Sequence, residues 1–110
     1  MSVTQRIAWE TMRTFNSATL NGSYQTLGTA LLFPSYICKI VNTSSVSVTI
    51  STDGINDMDV APAGSYWLYD EGKVGLSSQQ PALPAGTQIL IKGSAGTGTI
   101  YLVSQYVIQR

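Results

Sequence analysis

The chain has 110 residues, 44% of them apolar and 11% charged, with six Lys and Arg set against six Asp and Glu and no histidine. That length fits about one domain with a single core, and the absence of a basic or acidic excess argues against nucleic-acid binding. With so little charge, against roughly a quarter in ordinary soluble domains, solubility rests on hydroxyls, amides and glycine, and the surface has little with which to repel a neighbour.

Residues 1–19 contain Arg6, Glu10 and Arg13, which break any apolar run well short of the roughly 18 residues that a membrane helix requires. Neither a signal peptide nor a membrane span is expected, and synthesis in a cytoplasm without export follows. "SVTQRIAWETMRTFN" clusters Ile7, Met12 and Phe15 as a short helix would. Thr4, Thr11 and Thr14 weaken helix propensity, however, and the segment reads as a strand or extended arm, an N-terminal arm or edge segment ahead of a single domain at 20–110. "SYQTLGTALLFPS" then brings Leu27, Ala30, Leu32 and Phe33 into an apolar run that Pro34 ends.

"YICKIVN" and "VSVTIST" are two β-rich runs joined by Thr43, Ser44 and Ser45, which reads as a hairpin. The lone Cys38 lies in the first run, and one thiol can neither close an internal disulfide nor assemble a zinc site, so a buried, unreactive thiol is expected. In the second run Val46, Val48 and Ile50 alternate with Ser47, Thr49 and Ser51. That period of two gives a strand with one buried face and a hydroxyl-bearing outward face.

Asp53-Gly54 is a turn signal, followed by short strands expected at 57–61 and 65–69. The stretch 71–86, with its glycines, prolines and small polar residues, reads as the longest loop. "TQILIKG" and "GTIYLVSQYVIQ" close the chain as two strands joined by "GSAGTG", again read as a hairpin. In the last strand Ile100, Leu102 and Tyr106 share one face and Tyr101, Val103 and Val107 the other, the pattern of a central or covered strand. About seven to eight short strands with regular turn signals predict an all-β fold, an antiparallel β-sandwich or jelly-roll-like barrel.

Chemistry is sparse. Without histidine, triads that use it as base are excluded, and no catalytic constellation or cofactor motif is found, so an enzyme is not expected. Asp53, Asp57 and Asp59, with Asn56, could offer oxygens to calcium, but their spacing fits no EF-hand loop; they read as turn residues and no metal is expected. Asp70 and Glu71 are adjacent, and adjacent strand residues point to opposite faces and do not flank one glycosidic bond. "GSAGTG" lacks the Lys-Ser/Thr pair and following helix of a phosphate loop. Two groups remain as candidate contacts: Tyr66, Trp67 and Tyr69, as a ligand or partner platform or a plug at one end of the core, and Ile7, Trp9, Met12 and Phe15, as a subunit contact made by the N-terminal arm.

From about Leu20 to Tyr106 the chain resembles small tailed-phage virion proteins, through a skeleton of "KIVN" (Lys39 to Asn42), "S-x-D-G" (Ser51 to Gly54) and "G-T-x-Y-L" (Gly98 to Leu102). The resemblance implies a β-sandwich or jelly-roll subunit present in many copies on the virion: a capsid-decorating or cement protein, or else a head-tail connector, neck or tail accessory subunit. Its partners would be other phage structural proteins, the major capsid protein or neck and tail subunits, with self-association, and its location the virion. A polar but nearly ion-free sheet suits repeated contact without stranding unpaired charges, and the N-terminal arm could be donated to another subunit's sheet edge. From a different class, the aromatic trio would suit a carbohydrate-binding module on a fibre.

Overall fold

A computed structural model of the chain describes residues 5–70 and 83–109, and it is all β. Nine strands follow one another among the described residues: β1 (Gln5–Trp9), β2 (Arg13–Asn16), β3 (Gln25–Thr26), β4 (Ile37–Asn42), β5 (Val48–Ser51), β6 (Asp59–Ala61), β7 (Ser65–Asp70), β8 (Leu90–Lys92) and β9 (Thr99–Gln109). They form two antiparallel sheets. One has the order β1-β9-β4-β7, with β2 also on β9, and the other the order β3-β8-β5-β6. Both orders are open, so the expected all-β architecture takes the form of a sandwich rather than a closed barrel.

Strand periodicity decides what lies between the sheets. From the first come Cys38, Ile40, Ile100 and Leu102, and from the second Val48, Ile50, Ala61 and Ile91, each no more than 2% exposed. Leu20, Leu27 and Ile89 from connecting segments complete the cluster; burying each such Leu or Ile contributes about 1.5–3 kcal/mol. As its two apolar faces suggest, β9 is central, paired with β1 and β2 on one side and β4 on the other.

On β5 the expected alternation holds for Val48 and Ile50, which are buried, and for Thr49, which is half-buried on the other face. Ser51 does not join the outward face. It is fully buried, and its Oγ donates to Asp53 Oδ1 at 2.8 Å while accepting from the N–H groups of Asp53 and Gly54 at 3.1 and 3.0 Å. Here the hydroxyl closes the turn into β6.

Neither of the two expected hairpins forms. β4 pairs with β7 and β9, and β5 with β6 and β8, so Thr43 to Ser45 carries the chain from one sheet to the other. Gly93 to Gly98 does the same between β8 and β9. These crossings lie side by side: the N–H of Thr43 donates to Thr99 O at 3.1 Å and that of Ser45 to Thr97 O at 2.8 Å. Gly98 permits the approach, because it adopts φ +108° and a Cβ there would lie 2.7 Å from Thr43 O and 2.8 Å from Ser44 Cα.

Asn42 fixes where the first crossing leaves its sheet. It is fully buried; its Nδ2 donates to Val46 O and Ala61 O, each at 2.9 Å, and its Oδ1 accepts from the N–H and Oγ of Ser44. A primary amide offers two donors and two acceptor sites, and all four are used.

The short strands expected at 57–61 and 65–69 are observed as β6 and β7, which lie in different sheets. Most of the expected long loop lies outside the described residues; at its far end Leu83 bridges Ser35 through paired backbone bonds of 2.7 and 3.1 Å. The N-terminal segment takes the strand alternative, with β1 on residues 105–109 of β9 and β2 on residues 99–102. Since the β4 ladder stops at the Ile37 and Gln105 pair, β1 and the end of β9 run on past it as a two-stranded ribbon.

Candidate interaction surface

The side of the β1-β9-β4-β7 sheet facing away from the core follows from the same alternation. In the β4 register, Val41 stands between Tyr101 and Tyr66, Lys39 between Val103 and Leu68, and Ile37 beside Gln105. Trp9 is the partner of Gln105 on the other side of β9 and therefore shares this face. Aromatic and β-branched residues suit a pleated surface whether or not it is covered. Here Tyr66 is 59% and Leu68 45% exposed, Trp9 62% and Ile7 42%, while Ile37, Val41, Tyr101 and Val103 are half-buried. Lys39 brings a positive charge into this field, and Asp70, the partner of Ile37 in the register, brings an acidic residue to its β7 end. Where β4 and β7 meet the crossings, an open groove of about 400 Å³ is lined by Lys39, Val41, Thr43, Gly64, Ser65 and Tyr66.

The opposite side of the sandwich is chemically different. The outward register of the β3-β8-β5-β6 sheet includes Thr26, Leu90, Thr49, Lys92 and Val60. Lys92 Nζ lies 2.9 Å from Asp57 Oδ1 and 4.7 Å from the centre of the Tyr24 ring, and the Tyr24 hydroxyl also donates to Asp57. Partial burial and the Asp57 carboxylate push the Tyr24 hydroxyl up to about 12, and the Tyr24 and Lys92 hydrogen bonds hold Asp57 below the usual carboxylate range.

Asp53, Asp57 and Asp59 are thus engaged by their own chain, whereas the side chains of Asp70 and Glu71 lie outside what the structure describes. Asp53 Oδ1 accepts from the N–H groups of Asn56 and Ile55 at 2.9 and 2.8 Å, which, with the Asn56 and Ser51 side chains, hold its carboxyl far below the ordinary value. Asp59 Oδ2 accepts from Trp67 Nε1 at 2.6 Å. Burial pushes the Cys38 thiol up to about 12, which leaves little of the reactive thiolate at neutral pH.

The expected platform of Tyr66, Trp67 and Tyr69 does not assemble. Trp67 pairs with Ile40 and Tyr69 with Cys38, so both turn inward and pack against the core, while Tyr66 points the other way beside Val41. Adjacent strand residues cannot form one stacking plane. The N-terminal candidates also divide. Ile7, Trp9 and Met12 are exposed, whereas Phe15, the partner of Ile100, is half-buried and packs on its own core.

Trp9 and Met12 are presented by an ion pair beneath them. Arg13, 8% exposed, donates from Nη2 to Glu10 Oε1 at 2.8 Å and to Ala30 O at 2.9 Å, and from Nε to Thr29 O at 2.8 Å. Glu10, 7% exposed, accepts from the N–H groups of Leu32 and Phe33 at 3.1 and 3.0 Å. Burial alone would raise the Glu10 carboxyl, but the Arg13 bond, the two backbone donors and the Arg13 charge outweigh it and hold the group below its ordinary value of 4.5. The clasp ties the β1–β2 turn to residues 29–33, and Phe33 stacks on Tyr106 at 4.0 Å. The described part of the N-terminal segment is therefore fastened to its own domain.

Sequence reasoning overlooked the β4 and β9 half of this face. Ile37, Lys39, Val41, Tyr101 and Val103 were available from alternation in "ICKIVN" and "IYLVSQ" once those strands were placed side by side, but pairing partners are not encoded in either string.

No protein-family model matches the chain, and no curated protein sequence matches it significantly. Among solved structures, a chain from the disulfide-linked pili of Bacillus endospore appendages aligns with 96% of this chain and 88% of its own length, at 14% identity and a TM-score of 0.43.

Proposed function

We propose that the chain is a structural subunit of a phage virion, one that decorates or cements the capsid by laying the outer face of the β1-β9-β4-β7 sheet on the shell. The observation that carries this reading is the contrast between the sandwich's two outsides: one bears Tyr66, Leu68, Trp9 and Ile7, each more than 40% exposed, and the other sets Val60, at similar exposure, and Leu90 among hydroxyls and an internally paired lysine. Contiguous apolar surface on a small domain marks a place of contact, and each Å² of it taken from water is worth roughly 25 cal/mol before association costs. The skeleton on which the resemblance to phage virion proteins rests fits this role, because its residues build the frame rather than a reaction centre: Asn42 staples a crossing, Ser51 and Asp53 close a turn, and Gly98 lets two crossings touch.

The test is imaging of the native assembly. Density for the chain on expanded heads without tails is the expected result. Its presence only on tailed particles would move it to the neck or tail, and its isolation as a lone monomer that turns over a small substrate would overturn the structural reading.

A further inference from the structure

We propose that β7 is an assembly edge: it takes the β7 of a second copy of the chain as an antiparallel neighbour and joins the two β1-β9-β4-β7 sheets into one. The bonding within the sheet shows which main-chain groups are on offer. The N–H of Thr43 donates to Thr99 O, and in an antiparallel ladder bonded and non-bonded pairs alternate. Val41 and Lys39 therefore direct their main-chain groups to β9, and Asn42, Ile40 and Cys38 direct theirs to Ser65, Trp67 and Tyr69. What is left is the N–H and C=O of Tyr66 and Leu68, which point off the sheet and meet no partner among the described residues.

Free strand edges in native proteins are ordinarily short, bulged or guarded by lysine or proline. The other three edges of this sandwich obey that rule. β3 has two residues; β6 has three, and its Val60 N–H donates to Asp59 Oδ1 at 2.8 Å. Between the Trp9 and Gln105 pair and the Arg13 and Leu102 pair, the N-terminal strands have three residues against two on β9, a bulge that bends this edge. β7 runs for six residues in unbroken register with β4, without lysine, proline or glycine, and its one charged residue, Asp70, comes last.

A second β7 is the occupant that fits. Matching free groups to free groups sets Tyr66 opposite Leu68 of the copy and Leu68 opposite its Tyr66, which gives four main-chain bonds about a two-fold axis at Trp67. On the outer side each Tyr66, 59% exposed, then lies against a Leu68, 45% exposed, a favourable cross-strand pair. Asp70 comes opposite Gly64 in that register and does not meet its own copy. The axis is perpendicular to the sheet, so both outer faces stay on one side and the pair closes without open-ended growth. The choice of a closed pair rests on the reading of the outer face as the contact with a shell, to which it would present that face twice.

The test is amide hydrogen exchange by NMR on the full chain over a concentration series, with sedimentation equilibrium beside it. In the dilute monomer the amides of Tyr66 and Leu68 should exchange freely while β4 protects those of Trp67 and Tyr69. As a dimer forms, the first two should gain protection of at least about tenfold. Leu68→Pro removes a free-edge N–H and leaves the β4 ladder intact, so it should fold by circular dichroism and stay monomeric where wild type is dimeric. Should it not fold, Leu68→Lys keeps the N–H and should weaken the dimer at least about tenfold, since lysine opposes edge pairing. Four results would each overturn the inference: a wild type monomeric up to about 1 mM; Tyr66 and Leu68 amides protected already in the monomer; association that persists in the variants; or assembly beyond dimers with Ile7 and Trp9 gaining protection. A chain monomeric in solution yet present on heads by imaging refutes this pairing and leaves the capsid reading standing.

Discussion

Replacing Asn42 by alanine removes a side chain that is fully buried and makes four hydrogen bonds, two of them to the carbonyls of Val46 and Ala61. The methyl group that remains takes the amide's bond away from the Ala61 carbonyl and the Ser44 N–H, while the Val46 carbonyl still accepts from the Ser44 hydroxyl at 2.9 Å. A buried polar group left unpaired costs about 1–3 kcal/mol; taking the low end for each of the two gives about 2 kcal/mol, a sizeable part of the roughly 5–15 kcal/mol that holds a domain folded. At roughly 4 °C per kcal/mol, the lower end for a domain of this size, the melting temperature should fall by about 8 °C or more. Urea unfolding followed by tryptophan fluorescence is the assay, with Trp67 packed on the core as the reporter. The midpoint should drop while the slope stays as in wild type. A loss under about 1 kcal/mol would mean that the crossing is held by its backbone bonds and that the amide is dispensable, contrary to the reasoning here.

Glu10→Gln should remove about 3 kcal/mol by leaving Arg13 buried without its carboxylate. It should also change the pH profile. The folded carboxyl lies below its ordinary 4.5, so wild type holds this stabilisation above that value and loses it as pH falls through the lower folded value; urea midpoints of the variant should be flatter across the acid range. Gly98→Ala should cost more than Gly22→Ala by about 1 kcal/mol or more in the same assay. Both have positive φ, but a Cβ at Gly98 collides with the backbone of Thr43 and Ser44, whereas one at Gly22 meets nothing within 4 Å.

The fold class could be read from the chain because alternation and turn chemistry are local. Val48 and Ile50 face the core as their spacing demands, and the two apolar sides of residues 100–103 do mark a central strand. What could not be read is which strands pair. "NTSSV" and "GSAGTG" have the composition of hairpin turns, and the same small residues serve equally well where two chain segments must cross between sheets; only the structure, with Asn42 turned inward and Gly98 against Thr43, separates these uses. The aromatic platform failed for a reason that was available, since Tyr66 and Trp67 are neighbours on a strand and face opposite ways. Glu10 and Arg13 registered as interruptions to an apolar run, and their partnership depends on Ala30, Leu32 and Phe33, brought up by the fold.

The long ninth strand has a kinetic consequence. Trp9 waits for Gln105, and Phe15 for Ile100, so the earliest-made strands have no ladder to join until nearly everything else described has emerged from the ribosome. Contacts this distant in sequence make for slow folding, and throughout that interval Ile7 and Trp9 belong to a loose strand open to chaperones or to a neighbouring nascent chain. A shortage of β9, whether by truncation or by a stall late in translation, would therefore release the beginning of the chain rather than merely fray its end.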